Sequence, residues 1–450
     1  MKYIKILSRL VLGLVFIFSG FVKAVDPLGS AYKFSDYFSA FHLDFLKFSA
    51  LPLSLFLSAF ELVLGIVLLL GYRRRIIYAV VLWFMSFFTL LTFVLAIFNP
   101  VSDCGCFGDA LILTNWQTFL KNLFLMVFVL LLYLGRKQEI DAGKKMAEWF
   151  MVAGLFVLVT LFSIWNLRHL PLLDFRPYDL GTSIQEEMEI PEDAASDEYE
   201  TILTYRNKES GESQDFSLED YPRDTLLWEF VSSDSKLISK GYEPPIHDFA
   251  IMDSEGMEVT DQILTDPGYS LLMITHDIAG ADKESLINAR DWAQIELLAG
   301  DYSFYAVSAS TSEEVRNISA NLDLGYSFYV ADGIMLKTMI RSNPGFVLIK
   351  NGAIIGKWSS MDFPGIEEID PEMPEIIGNA SAPMDEETQL LIEAGVYEDF
   401  SFDVIDFERL TPKLLFEQSS SNRESGATAM FIMGITILLL LAQYVSPTKS

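Results

Sequence analysis

Six apolar stretches constrain this chain more than any other feature. They lie at about 7–24, 50–71, 76–98, 117–135, 149–167 and 429–445. A helix that crosses the hydrocarbon core of a bilayer needs roughly 20 mostly apolar residues. Backbone polar groups find no water there, so such runs must be helical. The last stretch is short, but no charge falls between Ala427 and Pro447. The first opens on Lys2, Lys5 and Arg9, as a secretory signal does. No small-residue cleavage site follows it and four more runs come close behind, so it reads as a retained span.

Charge divides the chain in the same way. Residues 1–167 carry 14 Lys and Arg against 9 Asp and Glu, a net of +5, whereas residues 168–428 carry 17 against 52, a net of -35. The whole is -29 with a mean hydropathy of +0.30, values that do not belong to one soluble domain. A surface this acidic repels phosphate, which argues against a nucleic-acid partner. Two cysteines are too few for a disulfide scaffold. Lys2, Lys5 and Arg9, then Arg73, Arg74 and Arg75, then Arg136, Lys137, Lys144 and Lys145 all fall on one side if the N-terminus is cytoplasmic. The expectation is a bacterial inner-membrane protein with both termini cytoplasmic and residues 168–428 periplasmic.

Within the external block, residues 171–245 read as an acidic linker and lead-in, with runs such as Gln185–Glu189 lacking periodicity. Residues 246–362 look folded. Strand-like runs at Ser270–Ile274, Phe304–Ser308, Tyr326–Val330, Gly345–Lys350 and Ala353–Lys357 are separated in places by helical stretches at 283–298 and 312–321. That alternation predicts an α/β sheet. Their order resembles the thioredoxin-like fold, with Pro344 at the position of the cis-proline before the third core strand and Asn351-Gly352 in the following hairpin turn. The redox cysteines of that fold would follow Ile274, but the sequence there is Thr275-His-Asp-Ile-Ala-Gly-Ala-Asp282. Without a thiolate the domain cannot exchange disulfides by itself. His276 and Asp277 read as turn or helix caps rather than a site. Residues 363–428 read as an acidic extension, with Glu367–Glu375 a solvated loop and 418–426 a tether to the span at 429–445.

Both cysteines lie together in Asp103-Cys104-Gly105-Cys106-Phe107-Gly108-Asp109, between spans three and four and on the external side. Thiols in an oxidising compartment tend to pair. A bridge across one residue closes a small, strained ring, and strain makes a disulfide labile. Gly105 relaxes the backbone and Gly108 permits a tight return. Thr114 or Asn115 can cap span four, whose N-terminus would favour a thiolate. Asp103 and Asp109 would act the other way. The local chemistry leaves open a redox pair, an inert staple or two buried thiols, and a metal site, although two sulfurs with only His42 nearby do not make a tetrahedral set.

The first 135 residues resemble the DoxX-like membrane proteins, in particular the MauE (methylamine utilisation) branch. The resemblance rests on Phe18-Ser-Gly-Phe-Val-Lys23, Glu61-Leu-Val-Leu-Gly65 and Asp103-Cys-Gly-Cys-Phe-Gly108. It implies a four-helix membrane core at 1–135 that helps a periplasmic client protein mature by supporting its disulfide formation, with Cys104 and Cys106 as the redox pair. Residues 136–170 add a cytoplasmic loop and a fifth span. The added layout looks like that of large DoxX/MauE fusion proteins of Bacteroidetes-type bacteria.

Glu61 falls in the middle of span two, where an ionisable group costs roughly 2.5–3.5 kcal/mol. It reads either as a proton relay beneath the cysteine loop or as a neutral, hydrogen-bonded helix tie. Lys23 and Lys121 are possible partners, but snorkelling to the interface suits them better. Quinone is the one cofactor the chemistry suggests. Trp83, Phe84, Phe87, Phe88 and Phe93 could line a pocket for it, though lipid-facing or packing roles fit them better. A scaffold whose thiol-free domain recruits a periplasmic partner is the alternative reading. A transporter is disfavoured because the spans hold few polar residues and show no inverted repeat.

Overall fold

The computed structural model describes residues 2–138, 145–380 apart from 192, 240 and 297, and 407–420. The apolar stretch at 429–445 lies outside the described residues, as does most of the polar run at 418–426. The N-terminal part is helical: α1 (Lys2–Val25), α2 (Pro27–Ala40), α3 (Ala50–Leu70), α4 (Arg74–Phe98), α5 (Asn115–Leu134) and α6 (Lys145–Arg168). All but α2 are long and apolar enough to cross a membrane. In lipid, helices associate through close packing and interhelical polar bonds rather than through hydrophobic burial. α1 and α3 follow this rule. A Cβ at Gly65 would stand 2.8 Å from the carbonyl oxygen of Gly13, and one at Gly20 would collide with the backbone of Leu62. Around that seam Leu12, Phe16, Leu64 and Leu68 pack against Val81, Met85, Leu125 and Val129, while Met151, Leu155 and Val159 of α6 cover the other side of α3.

Residues 250–420 hold a mixed sheet. Its strands are β4 (Ile251–Met252), β5 (Tyr269–Thr275), β6 (Tyr302–Ser308), β7 (Phe328–Ala331), β8 (Gly345–Lys350) and β9 (Ala353–Ser359). They lie in the order β4-β7-β6-β5-β8-β9, parallel across β7-β6-β5 and antiparallel elsewhere. The helices are α8 (Thr260–Thr265), α9 (Lys283–Ile295), α10 (Ser312–Leu322) and α11 (Gly333–Met339). Parallel strands joined by a helix and then an antiparallel hairpin make a thioredoxin-like α/β domain. Every residue of β5 is buried, as a central strand covered on both faces requires. Asn351 and Gly352 both have positive φ, which the tight β8–β9 hairpin needs. The Asn343–Pro344 peptide bond is cis.

Three segments differ from the expectations drawn from sequence. First, the linker region carries a separate three-stranded antiparallel sheet of β1 (Glu198–Asn207), β2 (Ser213–Ser217) and β3 (Trp228–Ser239), preceded by α7 (Ile184–Met188). Residues 183–249 form their own compact unit, while the membrane helices and the α/β domain form the other. Tyr205 gathers Phe216 at 6.0 Å and Phe230 at 5.6 Å on one face. Acidic residues interleaved with those aromatics conceal the alternation. Second, residues 169–182 are pinned to β9: Gly181 N donates to Ile354 O, Ile354 N donates to Thr182 O, and Lys357 Nζ reaches Asp174 Oδ2 at 2.8 Å. Third, the stretch around Glu367–Glu375 is not a solvated loop. It supplies α12 (Ile366–Ile369) and α13 (Met373–Ala380), and α14 (Phe407–Ser420) follows. Ile366, Ile369 and Met373 recur at helical spacing and are buried, and the Phe407 ring stacks on Tyr302 at 4.2 Å.

Candidate functional site

The cysteine loop is closed at its base before it carries any chemistry. Asn115 Nδ2 donates to Asn99 Oδ1 and to Val101 O, so the two helix ends are tied across the loop. Thr114 caps α5 in a capping box with Gln117. Gly105 and Gly108 take positive φ, and Gly108 N donates back to Gly105 O, which turns the chain through Cys104–Cys106. The two sulfurs face each other at 3.0 Å as free thiols. Neighbouring helices hold the loop by its carbonyls. Tyr37 of α2 donates to Cys104 O at 2.5 Å, and Ser19 of α1 lies 2.7 Å from Cys106 O.

The environment makes the thiols unequal. Hydrogen bonding to Cys106, then burial, push Cys104 well above the ordinary thiol range. Cys106 moves the other way, to about 6. The hydrogen bond from Cys104 leads, burial opposes, and the cations Lys121 and Lys23 add to the lowering. Of the two sulfurs, the environment therefore favours the thiolate on Cys106 and the proton on Cys104. Each flanking carboxylate faces a cation. Asp103 pairs with Lys33 at 2.5 Å and Asp109 with Arg341 at 2.8 Å.

Beneath the loop is a buried polar cluster. Lys23 Nζ lies 2.7 Å from Glu61 Oε2 and 2.9 Å from Oε1, and it also donates to Ser19 Oγ at 3.0 Å. Lys23 is therefore buried against Glu61 rather than snorkelling, and Glu61 ties α3 to α1 through Lys23 and Ser19. The Ser19 hydroxyl lies 2.6 Å from Glu61 Oε2 as well as 2.7 Å from Cys106 O. One proton serves only one of these acceptors at a time, so Ser19 connects the ion pair to the cysteine backbone. Lys121 sits over the Phe107 ring at 4.2 Å. Ser19 and Lys23 are one helical turn apart in the Phe18–Lys23 motif, a spacing that could have marked them as a pair.

A cavity of about 530 Å³ opens beside the cysteines. Its wall holds Cys104, Cys106, Lys23, Glu61, Lys121 and Asn122, and the remainder is mainly apolar. Phe84, Phe87 and Phe88 border it, although Phe84 also packs on Phe16 and Phe60 and Phe87 is exposed, as expected for them, whereas Trp83 and Phe93 are outside it and exposed.

The thioredoxin-like domain meets the loop from the other side. Arg341, three residues before Pro344, is buried between two carboxylates, 2.9 Å from Asp26 and 2.8 Å from Asp109. His276 Nε2 lies 3.4 Å from the Tyr32 hydroxyl of α2. Burial first, then Lys337 and Arg341, lower His276 to about 4, so the imidazole is neutral. His276 caps nothing. The α9 cap is Asp282, while Asp277 Oδ1 accepts from Ala279 N within the turn. Asn343 closes this edge by accepting from Thr275 Oγ1 and donating to Asp277 O. The edge that would hold redox cysteines in this fold is thus turned onto the loop that has them. Sequence reasoning missed Arg341, Tyr32, Tyr37 and Ser19. Besides Ser19, Arg341 had a local signal, as a charge close to the cis-proline. Among the described residues no group of three or more His, Cys, Asp or Glu side chains is placed to hold a metal.

The family model described as Methylamine utilisation protein MauE matches residues 1–135, and a domain of unknown function matches residues 199–240. The solution structure of a candidate protein disulfide isomerase from Bacteroides thetaiotaomicron is similar at 17% identity, covering 30% of this chain and 83% of that one, with a TM-score of 0.23. No match is found among curated proteins.

Proposed function

We propose that this multi-pass membrane protein handles thiols and disulfides for proteins outside the membrane, with Cys104 and Cys106 as its redox pair. The observation that carries this reading is the pair itself: two free thiols with their sulfurs 3.0 Å apart, on a loop set above the buried Lys23–Glu61 ion pair. An exchange step runs from the oxidised pair. A client dithiol gives up two electrons and two protons and becomes a disulfide, and Cys104 and Cys106 return to the dithiol. The match of residues 1–135 to the family of Methylamine utilisation protein MauE supports the membrane setting of that pair. The basic residues at 2–9, 73–75 and 136–145 support an inner membrane with the N-terminus cytoplasmic and the α/β domain periplasmic. The Ser19–Lys23–Glu61 cluster serves as the proton relay.

Maleimide trapping in whole cells tests this. The pair is expected to move from blocked to labelled as cells pass from an oxidant to dithiothreitol. A pair that stays in one state under both treatments removes the cycling role. A scaffold reading is favoured by one observation, the absence of any cysteine beyond residue 106. Full complementation of a deletion strain by the Cys104→Ser, Cys106→Ser protein would establish it instead.

A further inference from the structure

A pair that oxidises clients must be reoxidised, and the cavity beside it indicates how. We propose that the space between α1, α2, α3, α4 and α5 binds a lipid-soluble quinone, which takes the electrons of the Cys104–Cys106 dithiol. This rests on the redox reading above and names its acceptor.

Four observations carry it. The volume, about 530 Å³, suits a planar ring with part of an isoprenoid tail and falls within the range of small-molecule sites. The wall is mainly apolar, and two of its residues, Leu53 of α3 and Phe87 of α4, are exposed on membrane-spanning helices, so a ligand can enter from lipid. The wall also holds polar groups. Lys121 has no ion pair among the described residues, Asn122 is its sequence neighbour, and the buried hydroxyl of Ser30 is without a hydrogen-bond partner among the described residues. A quinone carbonyl needs such a donor or cation, with apolar walls around its ring and tail. Finally, both sulfurs belong to the same wall, so donor and acceptor share one chamber.

The step balances. As Cys104 Sγ bonds to Cys106 Sγ, the dithiol loses two electrons and two protons. The quinone takes up both and leaves as the quinol. Ser19, Lys23 and Glu61 border the same chamber and can move protons within it. A bound acyl chain would use the walls but not the cation.

The test uses the full chain in nanodiscs and a short-chain ubiquinone as probe. Binding is read by equilibrium dialysis to the Cys104→Ser, Cys106→Ser protein, which cannot react. Oxidation is read anaerobically as free thiols lost per quinol formed. Saturable binding, weakened at least tenfold by Leu57→Trp and severalfold by Lys121→Met, is expected, with one quinol formed per pair oxidised. Lys121→Met keeps the test valid should Leu57→Trp fail to fold. Absence of saturable binding, or equal displacement by the uncharged methyl oleate, overturns the site while whole-cell trapping can still show cycling. Binding without thiol loss in the parent protein overturns the acceptor role, and trapping then shows whether cycling fails with it.

Discussion

Two regions of this molecule each hold half of what thiol–disulfide chemistry needs. The thioredoxin-like domain has the sheet and the cis-proline but has Thr275-His276-Asp277 where the fold would carry thiols. The membrane bundle has the thiols, on a loop of a different architecture. The difference teaches that the acidity of a cysteine depends on its immediate partners rather than on the fold around it. In the bundle the lowering comes from a neighbouring thiol and from two lysines of α1 and α5. In the α/β domain the same edge has become a docking surface, whose cation, Arg341, is spent on two carboxylates of the bundle.

The largest effect should come from breaking that contact. Arg341→Ala leaves Asp26 and Asp109 facing each other without their cation. Breaking a buried pair costs about 3–5 kcal/mol, and the partial exposure of Asp109 places this case near the lower end. Thermal unfolding followed by tryptophan fluorescence should show a lowered transition, and a bulky maleimide should label the cysteine loop faster. Arg341→Lys should fall between, because one point charge replaces a fork that reaches both carboxylates. Unchanged unfolding and labelling in the alanine variant would mean that the two regions do not depend on each other.

Cys104→Ser sharpens the comparison at the thiols. The leading cause of the low Cys106 value disappears, so its alkylation midpoint should rise from about 6 toward the ordinary thiol value of about 8.5. At pH 6 the thiolate fraction then falls about 100-fold. The more basic thiolate is intrinsically the better nucleophile, which restores about tenfold and leaves a net loss of about tenfold in rate. Iodoacetamide kinetics across pH 5–9 check this. An unmoved midpoint would assign the acidity to Lys121 and Lys23 instead.

Much of this arrangement was legible in the sequence and some was not, for physical reasons. The five described spans announce themselves because lipid demands long apolar runs with no interruption. The α/β domain announces itself because strands and helices alternate, and Pro344 marks the edge that faces the loop. The Lys23–Glu61 pair was harder. A lysine at the end of a span has a cheap local solution in snorkelling, and only the packing of α1 on α3 removes it. Arg341 could be marked by its nearness to Pro344, but its partners could not, since they lie 315 and 232 residues away. The sheet at 198–239 was hidden by its own surface: its strands are largely exposed, so acidic residues stand between the aromatics that define its one packed face.

The smallest effect is the pH response of the docked edge. His276 falls from the usual 6.5 to about 4 because burial and the cations Lys337 and Arg341 oppose its protonation, with only Asp277 favouring it. The unfolded chain therefore binds the extra proton between about pH 6.5 and pH 4. Stability present above that window is lost as pH falls through it. Asp109 slopes the other way, since burial raises its carboxyl despite Arg341 and folding then favours its protonated form. The two must be separated by difference. His276→Gln keeps a polar partner for Tyr32 and does not titrate. Subtracting its unfolding profile from that of the parent should leave a slope confined to pH 4–6.5, reaching about 1 kcal/mol at pH 5 once solvent screening is allowed for. A difference that stays flat across the window would show that the imidazole meets solvent freely, and would leave the Arg341 ion pairs as the only joint between thiol and thioredoxin-like halves that the solution data support.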